Sequence, residues 1–175
     1  MTHSQDGQGG IASDADATHA VTALYQEHAL GLTRLAFVML GDRYAAEDVV
    51  QEAFCGLYRA WSRLPSHDNV LGYVRVSVLN GCRSVLRHAR RAPRPVAVPH
   101  AASAEAQALS GEEARTAVAA VRRLPPRQRE ALALRYFADL SEYETARAMG
   151  VSRGTVKSTT ARALAALDRM LREEQ

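Results

Sequence analysis

The chain is 175 residues long, 47% hydrophobic and 23% charged, with a formal net charge of +3. That length allows one domain or two small ones with a sufficient core, while no apolar run approaches the roughly 18–20 residues that span a bilayer, so no membrane insertion is expected. Cys55 and Cys82 form no C-x-x-C pair, which argues against a disulfide scaffold or a zinc site and leaves both thiols as expected buried packing residues.

Residues 1–18 are rich in Gly, Ser, Asp, Gln and Ala and are expected to be a disordered extension. They lack a charged segment followed by an apolar one, so no signal peptide is expected and the protein is placed in the cytoplasm. A helical period then begins, with Val21, Leu24, Tyr25, His28, Leu32, Leu35, Ala36 and Met39 on one face. Gly41-Asp42 ends it. A second helix is predicted from about Tyr44, with Ala46, Val49, Val50, Ala53, Phe54, Leu57, Tyr58 and Trp61 inward and Glu47, Asp48, Gln51 and Glu52 outward. That acidic face reads either as solvated surface or as a dock for a basic partner.

After a polar loop at 65–69, a third amphipathic helix turns Leu71, Val74, Val78, Cys82 and Val85 inward. Asn80, Arg83, Arg87 and Arg91 recur on another face as a basic ridge. Between Arg75 and Arg94 lie six arginines and no acid. A charge run of this kind is ordinarily a solvated face, although it also suits phosphate contact with counterion release. Residues 19–91 read as a first domain. Residues 92–111 hold Pro93, Pro95 and Pro99 among small residues and read as a flexible linker. Helical periodicity returns at Glu112, stops at Pro125, and restarts with Pro126 in a first turn, running to about Ala138.

The stretch from Leu140 to Leu164 reads as a helix-turn-helix. Ser141 and Glu144 have capping-box spacing, Ala146 lies where two helices must approach, and Gly150 falls at the turn. Ser152 caps a second helix anchored by Val151 and Val156. That helix presents Arg153, Thr155, Lys157, Ser158, Thr159 and Arg162, all donors able to reach phosphates or base edges. Lys157 is the only lysine in the chain. The plain alternative is a helical hairpin within a bundle. No phosphate loop, H-x-x-x-H pair or convergent nucleophile and base occurs, so neither a catalyst, a metal site nor a cofactor is expected.

Most of the chain resembles a family at this point. Residues 24–61, with their A-E-D-V-V-Q-E segment, resemble the start of the second conserved domain of bacterial sigma factors. Residues 69–91 resemble the part that reads and opens the promoter −10 element, and residues 124–164, with G-T-V-K-S, resemble the fourth domain, which reads the −35 element. Other sigma domains are missing from the pattern, which therefore is similar to the compact extracytoplasmic-function (ECF) group of the sigma-70 family. The resemblance implies an all-α fold of two small helical domains, 19–91 and 112–175, the second ending in the helix-turn-helix. It implies docking of Glu47, Asp48, Gln51 and Glu52 on the β′ clamp helices of core RNA polymerase, with the β flap as a further contact. The −10 strand would meet the 66–71 loop with Asn69, then Tyr73, Asn80, Arg83 and Arg87. The −35 element would meet Arg153, Thr155, Lys157, Ser158, Thr159 and Arg162. An anti-sigma partner is implied by the family alone. A conventional helix-turn-helix regulator that never joins the polymerase is the alternative, and it would have no need of the acidic helix face.

Overall fold

The computed structural model describes residues 8–91 and 112–173, and every regular element among them is helical. Helix α1 (Gln8–Leu40) packs against α2 (Arg43–Ala60), and both pack against α3 (Val70–Arg91). A 3-10 turn at Trp61–Arg63 closes α2. The second half comprises α4 (Glu112–Arg123), α5 (Pro126–Leu132) continued by a π turn (Ala133–Phe137), α6 (Glu142–Met149) and α7 (Arg153–Glu173).

Local chemistry sets the joints. Gly41 takes φ 73° and its N–H donates to the Phe37 carbonyl at 2.7 Å, ending α1. A side chain there would be strained, and it would run into the Arg122 guanidinium arriving from α4. Asp42 then caps α2 by accepting the Ala45 N–H at 3.0 Å. Six residues of α2 are buried in the predicted stripe: Ala46, Val49, Val50, Ala53, Phe54 and Leu57. The Phe54 ring meets Tyr25 of α1 edge-on at 5.0 Å. Gly81 of α3 faces Val49 so closely that a Cβ would lie 2.7 Å from Val49 Cγ1.

Five expectations need correction. Tyr25 and Tyr58, expected inward, are 40% and 39% exposed: Tyr25 meets the core only edge-on at Phe54 and the Tyr58 hydroxyl reaches out to Thr18, so the rest of each ring lies outside the core. Residues 8–18 are not a disordered extension: they are the first turns of α1, with Ala17 buried and the Thr18 hydroxyl 3.4 Å from that of Tyr58. Alanine-rich composition suits a helix once tertiary packing holds it. Val85 is 37% exposed, because the buried stripe of Val74, Val78 and Cys82 steps by four residues to Leu86, which packs on the core instead. Cys55 is exposed while Cys82 is buried, since Cys55 falls just outside the α2 stripe. The helix from Pro126 leaves α geometry at Ala133, and its π turn ends at Phe137. Asp139 follows with φ 50°. The expected linker at 92–111 and residues 1–7 lie outside the described residues.

The two halves share apolar packing. Val121, Leu124, Leu132, Ala133 and Ala163 join one buried cluster with Leu32, Leu35, Met39, Phe54 and Val78. Arg129 donates to the Met39 carbonyl at 2.8 Å, at the negative end of α1.

Candidate nucleic-acid and protein-binding faces

The helix-turn-helix forms as its local signals dictate. Ser141 Oγ accepts the Glu144 N–H at 3.2 Å, and Glu144 Oε2 accepts the Ser141 N–H at 2.8 Å. These bonds to Ser141, side-chain first and backbone second, hold the Glu144 carboxyl below its ordinary range. Gly150 sits in the left-handed region at φ 67°, ψ 38°. Its N–H reaches the Arg147 carbonyl at 3.3 Å, while the Val151 N–H reaches back to Ala146 at 3.0 Å. That pair of bonds is a Schellman closure, and it aims the chain into α7. Ser152 Oγ then accepts the Thr155 N–H at 3.1 Å and starts α7. Val156 is wholly buried, Ala146 nearly so.

With Val156 inward, Arg153, Thr155, Lys157, Ser158 and Arg162 of α7 are exposed, and Thr159 is half-buried. Not all are equally available. The Thr155 hydroxyl lies 2.9 Å from Ser152 Oγ, and Arg162 folds back to donate to the Ser158 carbonyl at 3.2 Å. Arg153 and Lys157, near the helix start, extend a positive edge at the positive end of the α7 dipole.

On α2, Asp48, Gln51 and Glu52 are exposed and Glu47 is half-buried. The face is partly compensated: Arg43 donates to Glu47 at 2.7 Å, and Arg59 pairs with Glu52. Exposed pairs of this kind contribute little to stability, so their charges remain open to a competing partner.

The third group divides. Asn69 is exposed, but its Oδ1 caps α3 by accepting the Gly72 N–H at 3.1 Å. Tyr73, Asn80 and Arg87 are exposed. Arg83 is not free on the surface. Its guanidinium pairs with Glu130 of α5, donates to the Ala148 carbonyl at 3.3 Å, and donates to Asn80 Oδ1 at 2.9 Å. Glu130 is a nearly buried carboxylate, with Arg127 as its second partner at 3.2 Å. Beside Arg83 on the same helix face, Leu79 is wholly buried among Ala131, Leu134, Leu140, Ala146, Met149 and Val156 of the other half. Sequence reading missed Leu79 and Glu130. The signal for Leu79 is an apolar residue outside the 74-78-82 stripe. Glu130 offered none, because its partner lies 47 residues away.

Among the described residues no three or more His, Cys, Asp or Glu converge as metal ligands, and no helix is long and apolar enough to cross a membrane. Burial pushes the Cys82 thiol up to about 12, which makes it inert at neutral pH.

Comparison with known proteins agrees with this architecture. Residues 24–92 match the family "Sigma-70 region 2" and residues 115–167 match "Sigma-70, region 4". The fold and its paired modules therefore define an RNA polymerase sigma factor of the sigma-70 family. The chain is 32% identical over 158 residues to the ECF RNA polymerase sigma factor SigM of Mycobacterium tuberculosis, covering 87% of this chain and 78% of that protein. It is 31% identical over 137 residues to the RNA polymerase sigma-E factor of Streptomyces coelicolor, with 78% and 77% covered. The chain belongs to the ECF sigma factors. In fold it is similar to CnrH, solved with the cytosolic domain of CnrY, at TM-score 0.71, 21% identity and coverage of 94% and 97%. It is also similar to RpoE of Bartonella quintana, solved with the anti-sigma factor NepR, at TM-score 0.66, 21% identity and coverage of 87% and 99%. The sigma family is not an enzyme class.

Proposed function

We propose that this sigma factor works in the cytoplasm, without catalysis of its own, by docking core RNA polymerase through α2 and reading a promoter with α3 and α7. In this reading Glu47, Asp48, Gln51 and Glu52 meet the β′ clamp helices, and the second domain adds a contact to the β flap. Asn69, Tyr73, Asn80, Arg83 and Arg87 hold the −10 strand. Arg153, Thr155, Lys157, Ser158, Thr159 and Arg162 face the −35 element, Arg153 and Lys157 foremost because their side chains are not folded onto the helix. Domain limits of 19–91 and 112–175 are part of the proposal. So is an anti-sigma partner, suggested by the complexes in which CnrH and RpoE were solved.

The observation that carries the reading is the pairing of a Schellman-closed helix-turn-helix with an exposed acidic helix face in one chain. A DNA-binding module alone accounts for the first and not for the second. Run-off transcription with purified core polymerase on a fragmented genomic template tests it. Discrete starts are expected with the wild-type chain and are expected to vanish with Glu47→Arg/Asp48→Arg. Equal starts from both proteins would remove the α2 assignment. No starts, with specific duplex binding by the chain alone, would point to a conventional regulator.

A further inference from the structure

Trp61 is the only tryptophan in the chain, and it stands where α2 gives way to the loop before α3. It is half-buried and packs on the core together with Leu64 and Val70. Residues 65–69 that follow are all exposed, so ordering them costs conformational entropy that burial does not offset. Side-chain bonds hold them instead. Ser66 Oγ donates to Asp68 Oδ2 at 2.6 Å and accepts the Asp68 N–H at 3.1 Å. Asn69 joins the loop to α3 through the Gly72 N–H. His67 makes the tie on the α2 side. Its ring lies against the Trp61 indole, with centroids 4.4 Å apart and planes tilted by 40°. Its Nε2–H donates to the Trp61 carbonyl at 3.2 Å; a carbonyl only accepts, so Nε2 carries the hydrogen.

The Ser66–Asp68 bonds shape the turn but do not place it, because both partners move with the loop. His67 places it, because Trp61 is packed on the core. A loop already held in one place presents one set of contacts to its ligand, and the ligand need not supply the ordering. We infer that His67 is a positioning residue for the −10 strand: it clamps the 65–69 loop onto Trp61, so that bases of the strand are selected by a preformed surface. Its ring and its N–H are both engaged with Trp61, and its part is to hold the loop rather than to touch a base. The inference rests on the assignment of the 66–71 loop and α3 to the −10 strand.

The sole tryptophan reads the clamp directly on the free chain. Acrylamide quenching of Trp61 fluorescence should rise about twofold in His67→Ala, as the ring against the indole is removed. Each protein is then joined to core polymerase and offered a pool of short single-stranded oligonucleotides of random sequence, with core polymerase alone as the blank. His67→Ala should flatten the enrichment of preferred over disfavoured sequences about tenfold, as loss of preorganisation does. His67→Phe keeps the ring without the donor and His67→Gln the donor without the ring. Shielding and enrichment should recover together in whichever of them re-forms the clamp. Unchanged quenching in His67→Ala overturns the inference, as does full enrichment in a variant whose shielding is lost. Enrichment still lost where shielding is restored overturns it too, since His67 would then touch the strand itself. Each of these outcomes leaves the −10 assignment standing. A wild-type complex that enriches nothing over the blank would sink that assignment, and the inference with it.

Discussion

Gly150 and Glu144 carry unequal parts of the helix-turn-helix. Outside its chain neighbours and the local helix backbone, no atom lies within 4 Å of where a Gly150 Cβ would stand, so the requirement for glycine is its φ of 67° and not space. Gly150→Ala should therefore lower stability by about 1 kcal/mol, the strain of one left-handed L-residue, with the fold retained; chemical denaturation checks it. Glu144 works by charge. Its folded pKa is depressed by Ser141, so its contribution is present above the unfolded pKa and is lost as pH falls through the folded one. Wild type should melt above Glu144→Gln at pH 7, and the difference should close as the pH falls below the ordinary carboxylate range and through the depressed folded value. The side chain is exposed, which screens the effect and keeps the gap small. Thermal melts across that range would settle the sign.

Among the elements, α7 is the one whose role is most open to a quantitative check. Lys157 is exposed near its start, with no competing bond on its helix comparable to that of Arg162. Lys157→Ala should weaken promoter-fragment binding about equally across sequences and reduce the log–log salt slope by about 1, as loss of one phosphate contact does. Elements of this kind were legible in sequence because their signals are local. The stripe from Ala46 to Leu57 needs only a 3.6-residue period, and Ser141, Gly150 and Ser152 act on backbone groups within five residues. What escaped is what depends on distant chain. Residues 8–18 form helix because Ala17 finds a core to enter. Cys55 and Val85 face outward because neighbouring helices, not composition, choose which edge of a stripe is covered. Leu79 packs into an apolar cluster of the other half, and Glu130 pairs with Arg83 of the other half. At the candidate faces, residue types were legible and availability was not: the bonds of Arg83, Asn69 and Arg162 exist only in three dimensions.

As a whole, the molecule behaves as two modules with a common interior. Leu79 is wholly buried and clusters with Ala131, Leu134, Leu140, Met149 and Val156 of the second half, so Leu79→Ala should leave a void between the halves and cost about 2–4 kcal/mol. Both chains are expected to melt in one transition, the variant at lower temperature, because the buried cluster that joins Leu32, Leu35 and Met39 to Leu124, Leu132 and Ala133 still couples the halves; scanning calorimetry checks it. Burial of Leu79 has a further consequence during synthesis. Its cover extends to Val156, about 77 residues downstream, so at about 5–20 residues per second Leu79 stays bare on the nascent chain for on the order of 4–15 s. For that interval a finished three-helix unit leaves the ribosome with an apolar side chain set in an arginine-lined surface, open to whatever chaperone or nucleic acid arrives before its own second half does.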